Sequence, residues 1–301
     1  MSTDASAPTA GVDIASDRLN ATISPLGAEL VRLSLADGTD LQWNGDPTFW
    51  TGRAPILFPV VGQLRDGQYR YDGVTYTMPK HGFARRSTFD LVASDRSSAR
   101  FRLAASDATR AIYPFEFRLD LRFSLDGAAL TVTAEIANLD SKPLPASFGF
   151  HPALRWPLPF GGTRDEHRLV FSEAETAPVR RIDADGLLRP APQPTPVVGD
   201  TLMLRDALFA DDALIFDRLA SRSVRYGAGE GQGLRVDFAD FPALGVWTKP
   251  GAGFVCIEPW QGFADPEGFA GDIRDKPGIF QVAPATSRML TMTIALEARP
   301  S

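Results

Sequence analysis

The chain has 301 residues, of which 44% are hydrophobic and 23% are charged, a balance typical of a globular protein with a sizeable core. Its formal net charge of -6 argues against the clustered basic surface that binding to a nucleic-acid backbone requires. The single cysteine, Cys256, excludes an intramolecular disulfide and a cysteine-rich zinc site, and it indicates a reducing, cytoplasmic compartment.

The first residues carry no signal for export or membrane insertion. Residues 1–11 have neither a basic patch nor an apolar segment, and no later stretch is long enough to span a bilayer. We therefore expect a disordered leader over residues 1–11, one domain over residues 12–299, and no membrane partner. The proline-rich segment Pro190–Gly199 is either a linker or an extended surface connection; the latter is favoured because β-patterning continues on both sides.

Alternating apolar residues separated by turn residues predict antiparallel strands along most of the chain. The predicted elements, in chain order, are a hairpin with strand residues Leu19, Ala21 and Ile23 before Pro25–Gly27, a hairpin around Asp72–Gly73, two long strands around Asp126–Gly127, and a closing strand over Arg288–Glu297. The best helix candidate is Asp206–Ala220, and it is short. The pattern predicts an all-β fold, a sandwich or a barrel, with few short helices.

One carboxylate, Glu258, follows a run of strand-forming residues. The apolar run Phe254–Ile257 predicts a buried strand that ends at Pro259 and Gly262, which places Glu258 at the strand's end. Burial there would raise the pKa of Glu258 toward that of a working base. The alternative is a rim carboxylate held by an arginine. Cys256, inside the run, is expected to pack inertly.

The chain has three histidines, and two of them stand in unusual settings. His81 precedes Gly82, which permits a close approach of ligand or backbone, and His151 precedes a proline that keeps it extended. Each is either a hydrogen-bonded structural residue or a functional one. A nearby carboxylate would raise the pKa of His151, so that Glu258 and His151 would form an acid/base pair. His167 lies in a charge-rich stretch and is predicted to be solvated.

The remaining motifs favour proton transfer without a metal or cofactor. The histidines lack the spacing of a zinc site, and no acidic calcium loop is present. Gly-x-Ser-x-Gly, phosphate-loop and dinucleotide-binding fingerprints are also missing. Trp260, Trp247 and Phe150 are candidates for flat apolar walls against a sugar ring, although Trp247 would serve equally as core.

Several sequence blocks, in their order along the chain, resemble the aldose 1-epimerase (galactose mutarotase-like) family. The resemblance spans roughly residues 12–297 and is strongest to the branch with the His-Gly-Phe-Ala-Arg motif, which includes epimerases of hexose 6-phosphates. The matching blocks are Gly27–Leu30, Ala54–Gly62, His81–Arg85, Phe148–Pro152 and Ile257–Gly262.

The resemblance implies a large antiparallel β-sandwich that binds a small-molecule sugar in an open cleft and requires no cofactor. The glutamate matched by Glu258 takes the proton of the anomeric hydroxyl, and the histidine matched by His151 protonates the ring oxygen. The histidine matched by His81 hydrogen-bonds the sugar. The chain would then interconvert α and β anomers as a monomer or a homodimer.

This sequence departs from the family pattern at one sugar-binding position. Gln63 stands where members often carry an arginine, and Arg53, Arg65 or Arg85 would have to compensate. A sugar-binding aspartate of the family is matched by Asp212. Arg53 and Arg85 would cradle a phosphate through paired donors, or else form surface ion pairs. Because of Gln63, a non-catalytic carbohydrate-binding or sensory β-sandwich is the alternative function.

Overall fold

The structure, a computed structural model, describes residues 11–229 and 231–297. The predicted leader therefore lies outside the described residues except for Gly11, as do residues 298 and 299 of the predicted domain. The strands are β1 (Val12–Ala15), β2 (Leu19–Ser24), β3 (Glu29–Leu35), β4 (Ile56–Leu57), β5 (Gln68–Tyr71), β6 (Val74–Thr77), β7 (Asp90–Ser94), β8 (Ser98–Ala104), β9 (Phe117–Asp126), β10 (Ala129–Asn138), β11 (Leu144–Ala146), β12 (Phe148–Phe150), β13 (Ala153–Arg155), β14 (His167–Phe171), β15 (Thr201–Met203), β16 (Leu214–Phe216), β17 (Ser223–Ala228), β18 (Gly233–Asp237), β19 (Ala243–Trp247), β20 (Phe254–Gln261), β21 (Phe280–Val282) and β22 (Ser287–Glu297).

Helical structure is short in the described part of the chain. The α-helix α1 (Asp107–Ile112) begins at Ser106, whose hydroxyl accepts a hydrogen bond from the Thr109 amide and caps the first turn. The 3-10 helices are Arg65–Gly67, Ala84–Arg86, Arg164–Glu166, Asp206–Phe209 and Ile273–Asp275. None of the helices in residues 11–229 and 231–297 has the length and apolar character needed to traverse a lipid bilayer.

Two antiparallel sheets form the sandwich. The larger has nine strands in the order β15-β14-β17-β18-β22-β10-β9-β8-β7, and the smaller has the order β16-β19-β20-β12-β4, with β13 also pairing with β20. Phe123, Val132 and Met292 of the larger sheet pack against Ile56 and Phe150 of the smaller one. The predicted all-β sandwich with few short helices is confirmed, because alternating residues on both sheets bury one apolar face each.

The predicted hairpins are confirmed. The strands β2 and β3, β5 and β6, and β9 and β10 pair in the expected antiparallel way, and β22 is the closing strand. The helix predicted over Asp206–Ala220 is wrong: its first residues form a 3-10 turn, and Leu214–Phe216 pair with β19 instead. Tertiary pairing with an existing sheet edge outweighs a weak helical propensity over so few residues.

The strand that carries Glu258 is longer than predicted. The strand β20 runs through Pro259 to Gln261, so Glu258 lies inside it and Trp260 is a strand residue rather than part of a turn. A proline has no amide hydrogen to donate to a neighbouring strand. Pro259 is tolerated because β20 pairs on this side with two short strands, β12 and β13, and the break between them requires no hydrogen bond from residue 259.

The positions of three further features, His167, Phe150 and the proline-rich segment, can be compared with what the sequence predicted. His167 is fully buried, not solvated: its Nε2 accepts a hydrogen bond from the Leu158 amide, and its Nδ1 lies 2.8 Å from the Thr163 carbonyl oxygen. Phe150 belongs to the sandwich core, where its ring packs edge-on against Phe148, so it forms no sugar wall. The segment Pro190–Gly199 is an extended, mostly exposed connection, as favoured from the sequence.

Candidate active site

The register of β20 brings Glu258 and His151 together. On one side of the strand break Gly149 pairs with Trp260, and on the other side Ala153 pairs with Cys256. Extending either register by two residues places His151 directly across from Glu258, as a cross-strand pair on one face of the sheet. Accordingly, His151 Nε2 lies 3.1 Å from Glu258 Oε2, with both side chains buried.

Side chains of β20 alternate between the sandwich core and a cavity on the opposite face. Val255 and Ile257 belong to the core, whereas Cys256, Glu258 and Trp260 project from the other face. The indole of Trp260 lies over two glycines on neighbouring strands. A Cβ atom would lie 2.7 Å from this indole at Gly149 and 2.6 Å from it at Gly245. Larger residues at these two positions would therefore displace Trp260.

The third predicted catalytic residue, His81, approaches the pair from a loop. Its backbone has a positive φ of 66°, and the next residue, Gly82, packs so closely on Phe58 that a Cβ atom there would be 2.1 Å from the Phe58 carbonyl oxygen. His81 Nδ1 accepts a hydrogen bond from the Gly62 amide at 3.1 Å. The neutral ring therefore carries its proton on Nε2. The rings of His81 and His151 are 5.9 Å apart and nearly perpendicular.

These side chains lie in a cavity of about 220 Å³. Pockets for drug-sized ligands measure about 300–1,000 Å³, so this volume suits a ligand of monosaccharide size. Sequence reasoning missed Trp50, whose ring stacks on His151 at 5.0 Å and meets Trp247 edge-on. The lining residues are Trp50, Gly62, Lys80, His81, Arg85, His151, Ile182, Gly186, Asp212, Ala213, Ile215, Trp247, Glu258, Trp260 and Ala264.

Burial shifts the protonation of the catalytic candidates toward their neutral forms. Desolvation, assisted by the negative charge of Asp212, raises the pKa of Glu258 well above its usual value, as expected from its predicted burial. The pKa of His151 is lowered, chiefly by burial and further by Arg85, whereas the sequence predicted that a carboxylate would raise it. Burial also lowers the pKa of His81. Both shifts favour the form of the pair in which the proton is on Glu258 and His151 is neutral.

Of the three arginines considered as compensating donors, only Arg85 lines the cavity. The guanidinium of Arg53 donates to the Val31 carbonyl at 3.0 Å, and that of Arg65 lies against Asp66, both outside the cavity. Lys80, which the sequence did not single out, lines the cavity beside Arg85. Within the described residues, neither Lys80 nor Arg85 forms an ion pair. The structure therefore places the cationic side chains of Lys80 and Arg85 at the cavity, and Arg53 outside its lining.

The two other predicted sugar-binding residues are placed differently. Asp212 lines the cavity in a left-handed turn with φ 66°, and buried Arg181 donates to its carbonyl oxygen at 2.8 Å. Gln63 lies behind Gly186, outside the cavity lining, and donates to the Leu64 carbonyl at 2.9 Å. Gln63 itself therefore offers no donor to this cavity.

A buried ion pair supports residues 63–65, which follow the Gly62 amide that binds His81. Lys276 Nζ lies 3.1 Å from Asp265 Oδ1 and donates to the Phe263 carbonyl at 2.6 Å. The other carboxylate oxygen of Asp265 accepts from the Arg65 amide, and its own amide donates to the carbonyl of Gln63. These bonds fix residues 63–65, next to the Gly62 amide that orients His81.

Comparisons with known proteins identify the family of this chain. A family model described as aldose 1-epimerase matches residues 12–274. Protein LacX, chromosomal, from Lactococcus lactis subsp. lactis is 32% identical over 283 residues, covering 91% of this chain and 95% of the relative.

Two solved structures are also similar in fold. A galactose mutarotase related enzyme from Lactobacillus acidophilus is 28% identical with a TM-score of 0.87, covering 97% of this chain and 98% of the other. A galactose mutarotase-like protein from Lactobacillus casei is 29% identical with a TM-score of 0.88, covering 95% of this chain and 100% of the other. The chain belongs to the aldose 1-epimerase family and has its galactose mutarotase-like fold.

Proposed function

We propose that this protein interconverts the α and β anomers of an aldohexose or a hexose 6-phosphate. The observation that carries the proposal is the buried pair of His151 and Glu258, which lie 3.1 Å apart and line a cavity of monosaccharide size. Anomer interconversion requires two groups that exchange one proton between the anomeric hydroxyl and the ring oxygen. A carboxyl group and an imidazole at this distance are suited to those roles.

The catalytic cycle uses the single proton of the pair. When sugar hydroxyls hydrogen-bond to Glu258, its carboxylate form is favoured and the proton passes to His151. Glu258 then removes the proton of the anomeric hydroxyl while His151 protonates the ring oxygen, and the C1–O5 bond breaks to give the free aldehyde. Rotation about the C1–C2 bond and ring closure by the reverse transfers give the other anomer, with all protons returned.

The remaining cavity residues orient the sugar. Trp50, Trp247 and Trp260 offer apolar surfaces to the C–H faces of a pyranose, and Asp212 offers a carboxylate to its hydroxyl groups. His81, with its proton on Nε2, is a donor to the substrate. Buried neutral donors stabilise developing negative charge on oxygen more effectively than solvated ones, because little reorganisation is required.

The direct test is polarimetry of freshly dissolved α-glucose and of glucose 6-phosphate. Purified protein should speed relaxation to the anomeric equilibrium in a saturable way. Saturable binding of both sugars without any acceleration, by folded protein, would instead favour a carbohydrate-binding or sensory role.

The pH dependence of kcat/KM should be flat through pH 6.5, the ordinary pKa of a histidine. The pair loses its base only below the lowered pKa of His151, where it holds two protons. It loses its acid only above the raised pKa of Glu258, where it holds none. Rates measured across the stable pH range would therefore define a broad plateau. A drop centred on pH 6.5 would show that His151 titrates as a solvated histidine does.

Lys80 and Arg85 support a substrate with an anionic substituent, since both are unpaired in the described structure and line the cavity. Arg85→Gln should raise the KM for glucose 6-phosphate by about 10–100-fold, the value of a lost charged hydrogen bond. The KM for glucose should change far less. Initial rates with both sugars provide the measurement.

Arg53→Gln is the matched control, because Arg53 lies outside the cavity and should leave both KM values unchanged. An equal rise of KM for both sugars in Arg85→Gln would mean that Arg85 orients the pyranose and does not bind the phosphate.

A further inference from the structure

Two cavity residues, His151 and Glu258, lie close to the fully buried Cys256, and all three side chains are good metal ligands. His151, Cys256 and Glu258 each offer one ligand atom, and these atoms all lie within 4.8 Å of one another. Cys256 and Glu258 project from the same face of β20, and His151 faces Glu258 across the strand pair. The sequence analysis expected Cys256 to pack inertly and did not connect it with His151, which lies more than a hundred residues earlier in the chain.

Two polar atoms in this cluster lack a hydrogen-bond partner in the described structure. Glu258 Oε2 and His151 Nδ1 are buried without a hydrogen-bond partner, although His151 Nε2 is 3.1 Å from Glu258 Oε2. The side chain of Glu258 is only 1% exposed and that of His151 is 9% exposed. Unsatisfied polar atoms at such depth are uncommon in folded proteins, and each calls for an explanation such as a ligand or a catalytic role.

The distances fit a tetrahedral d¹⁰ cation after a small contraction. Zinc bonds to nitrogen and oxygen are about 2.0–2.1 Å long, which places two such ligands about 3.3 Å apart at the tetrahedral angle. The observed separation of 3.1 Å between His151 Nε2 and Glu258 Oε2 is close to that value. With a zinc–sulfur bond of about 2.3 Å, the sulfur should lie about 3.5 Å from the other ligands. Because the ligand atoms now lie within 4.8 Å of one another, the sulfur has to move by about 1.3 Å at most.

We propose that His151, Cys256 and Glu258 form a binding site for a thiophilic divalent cation such as Zn²⁺ or Cd²⁺, with a fourth position open to the cavity. Binding replaces the thiol proton of Cys256 and the carboxyl proton of Glu258, so two protons leave for each cation. The two anionic ligands then balance the charge of the cation, which suits a buried position. Hard cations such as Mg²⁺ prefer oxygen ligands and should not bind.

Cation binding should inhibit the enzyme, a consequence that rests on the proposed function. The cation would occupy the lone pairs that Glu258 and His151 need for proton transfer. Metal binding by itself is independent of turnover. It can therefore be measured in a protein that proves inactive.

Titration with Cd²⁺ tests the site, because Cys256 is the only cysteine of the chain and any cadmium–thiolate absorption band must come from it. The band should appear and saturate at one cation per chain. Thermal unfolding should shift upward with Cd²⁺ concentration. Because two protons are released, apparent affinity should rise by about 100-fold per pH unit while both groups remain protonated in the free protein.

Cys256→Ala should abolish the band and the thermal shift, and its anomer interconversion without metal should persist and resist Cd²⁺. Cys256→Ser serves the same purpose if the alanine variant does not fold. Glu258→Gln should keep a weaker band, since it loses one ligand. Absence of the band in folded wild-type protein, or an unchanged thermal shift in Cys256→Ala, would overturn the site. A saturating band with no sugar turnover would leave the site standing and contradict the proposed function.

Discussion

Glu258→Gln is expected to lower kcat for anomer interconversion by about 10²–10⁴-fold, the usual contribution of a general base. The amide keeps the shape of the side chain but cannot take the anomeric proton, so sugar binding should change little by comparison. Polarimetric kcat and equilibrium sugar titration measure the two effects separately. Glu175→Gln is the matched control: Glu175 is another buried glutamate, and its oxygens accept from the Ala220 and Ser221 amides.

The stability of the same variant shows whether lost activity reflects unfolding. Because the folded-state pKa of Glu258 is raised, its favourable contribution is present below the unfolded value of 4.5 and is lost as pH rises. Glutamine has no charge to bury, so Glu258→Gln should unfold at a higher temperature than the parent at pH 8, with the gap narrowing toward pH 4.5. A kcat within tenfold of the parent would remove Glu258 from the role of base.

Lys276→Met is expected to destabilise the protein by about 3–5 kcal/mol, because it leaves the carboxylate of Asp265 buried without its partner. The side chains of Lys276 and Asp265 are 1% and 5% exposed, so solvent cannot replace the lost ion pair. Chemical denaturation at pH 7 measures the change. If the pair also positions the loop before His81, the KM for sugar should rise at temperatures where the variant remains folded.

An exposed ion pair in the same protein provides the comparison. Arg32 lies 2.8 Å from Asp40, with the two side chains 51% and 45% exposed, and Arg32→Met should cost less than about 1 kcal/mol. Asp265→Leu combined with Lys276→Met should recover part of the lost stability, since no unpaired charge remains. Equal effects of Lys276→Met and Arg32→Met would show that burial of the Lys276 pair has no energetic consequence.

Local sequence patterns predicted most of the fold and part of the candidate active site. Alternation from Phe117 to Asn138 predicted two long strands, because side chains on a strand must alternate between core and solvent when one face is buried. The turn residues Asp72 and Gly73 also predicted a tight hairpin from local sequence, because both residue types tolerate the positive φ that they adopt in the turn. Predictions failed where the outcome depended on a distant partner, as with the helix expected near Asp206.

The residues of the candidate site were likewise predicted only in part from the sequence. The family blocks drew attention to Glu258, His151 and His81, and the apolar run before Glu258 predicted its burial. Trp50 and Lys80 were missed, because neither stands in a motif and only folding brings them to the cavity. The expected pKa of His151 had the wrong sign, since the sequence revealed a carboxylate partner but not the depth of burial that outweighs it.

By itself the amino-acid sequence determined the β-architecture, the family and the residue types of an acid/base pair, since these depend on local alternation and short motifs. Only the tertiary structure decided that Glu258 faces His151 across one strand break, that Arg85 with Lys80 rather than Arg53 reaches the cavity, and that Cys256 joins the pair. Those outcomes depend on strand register and packing between segments more than a hundred residues apart, which no local pattern encodes.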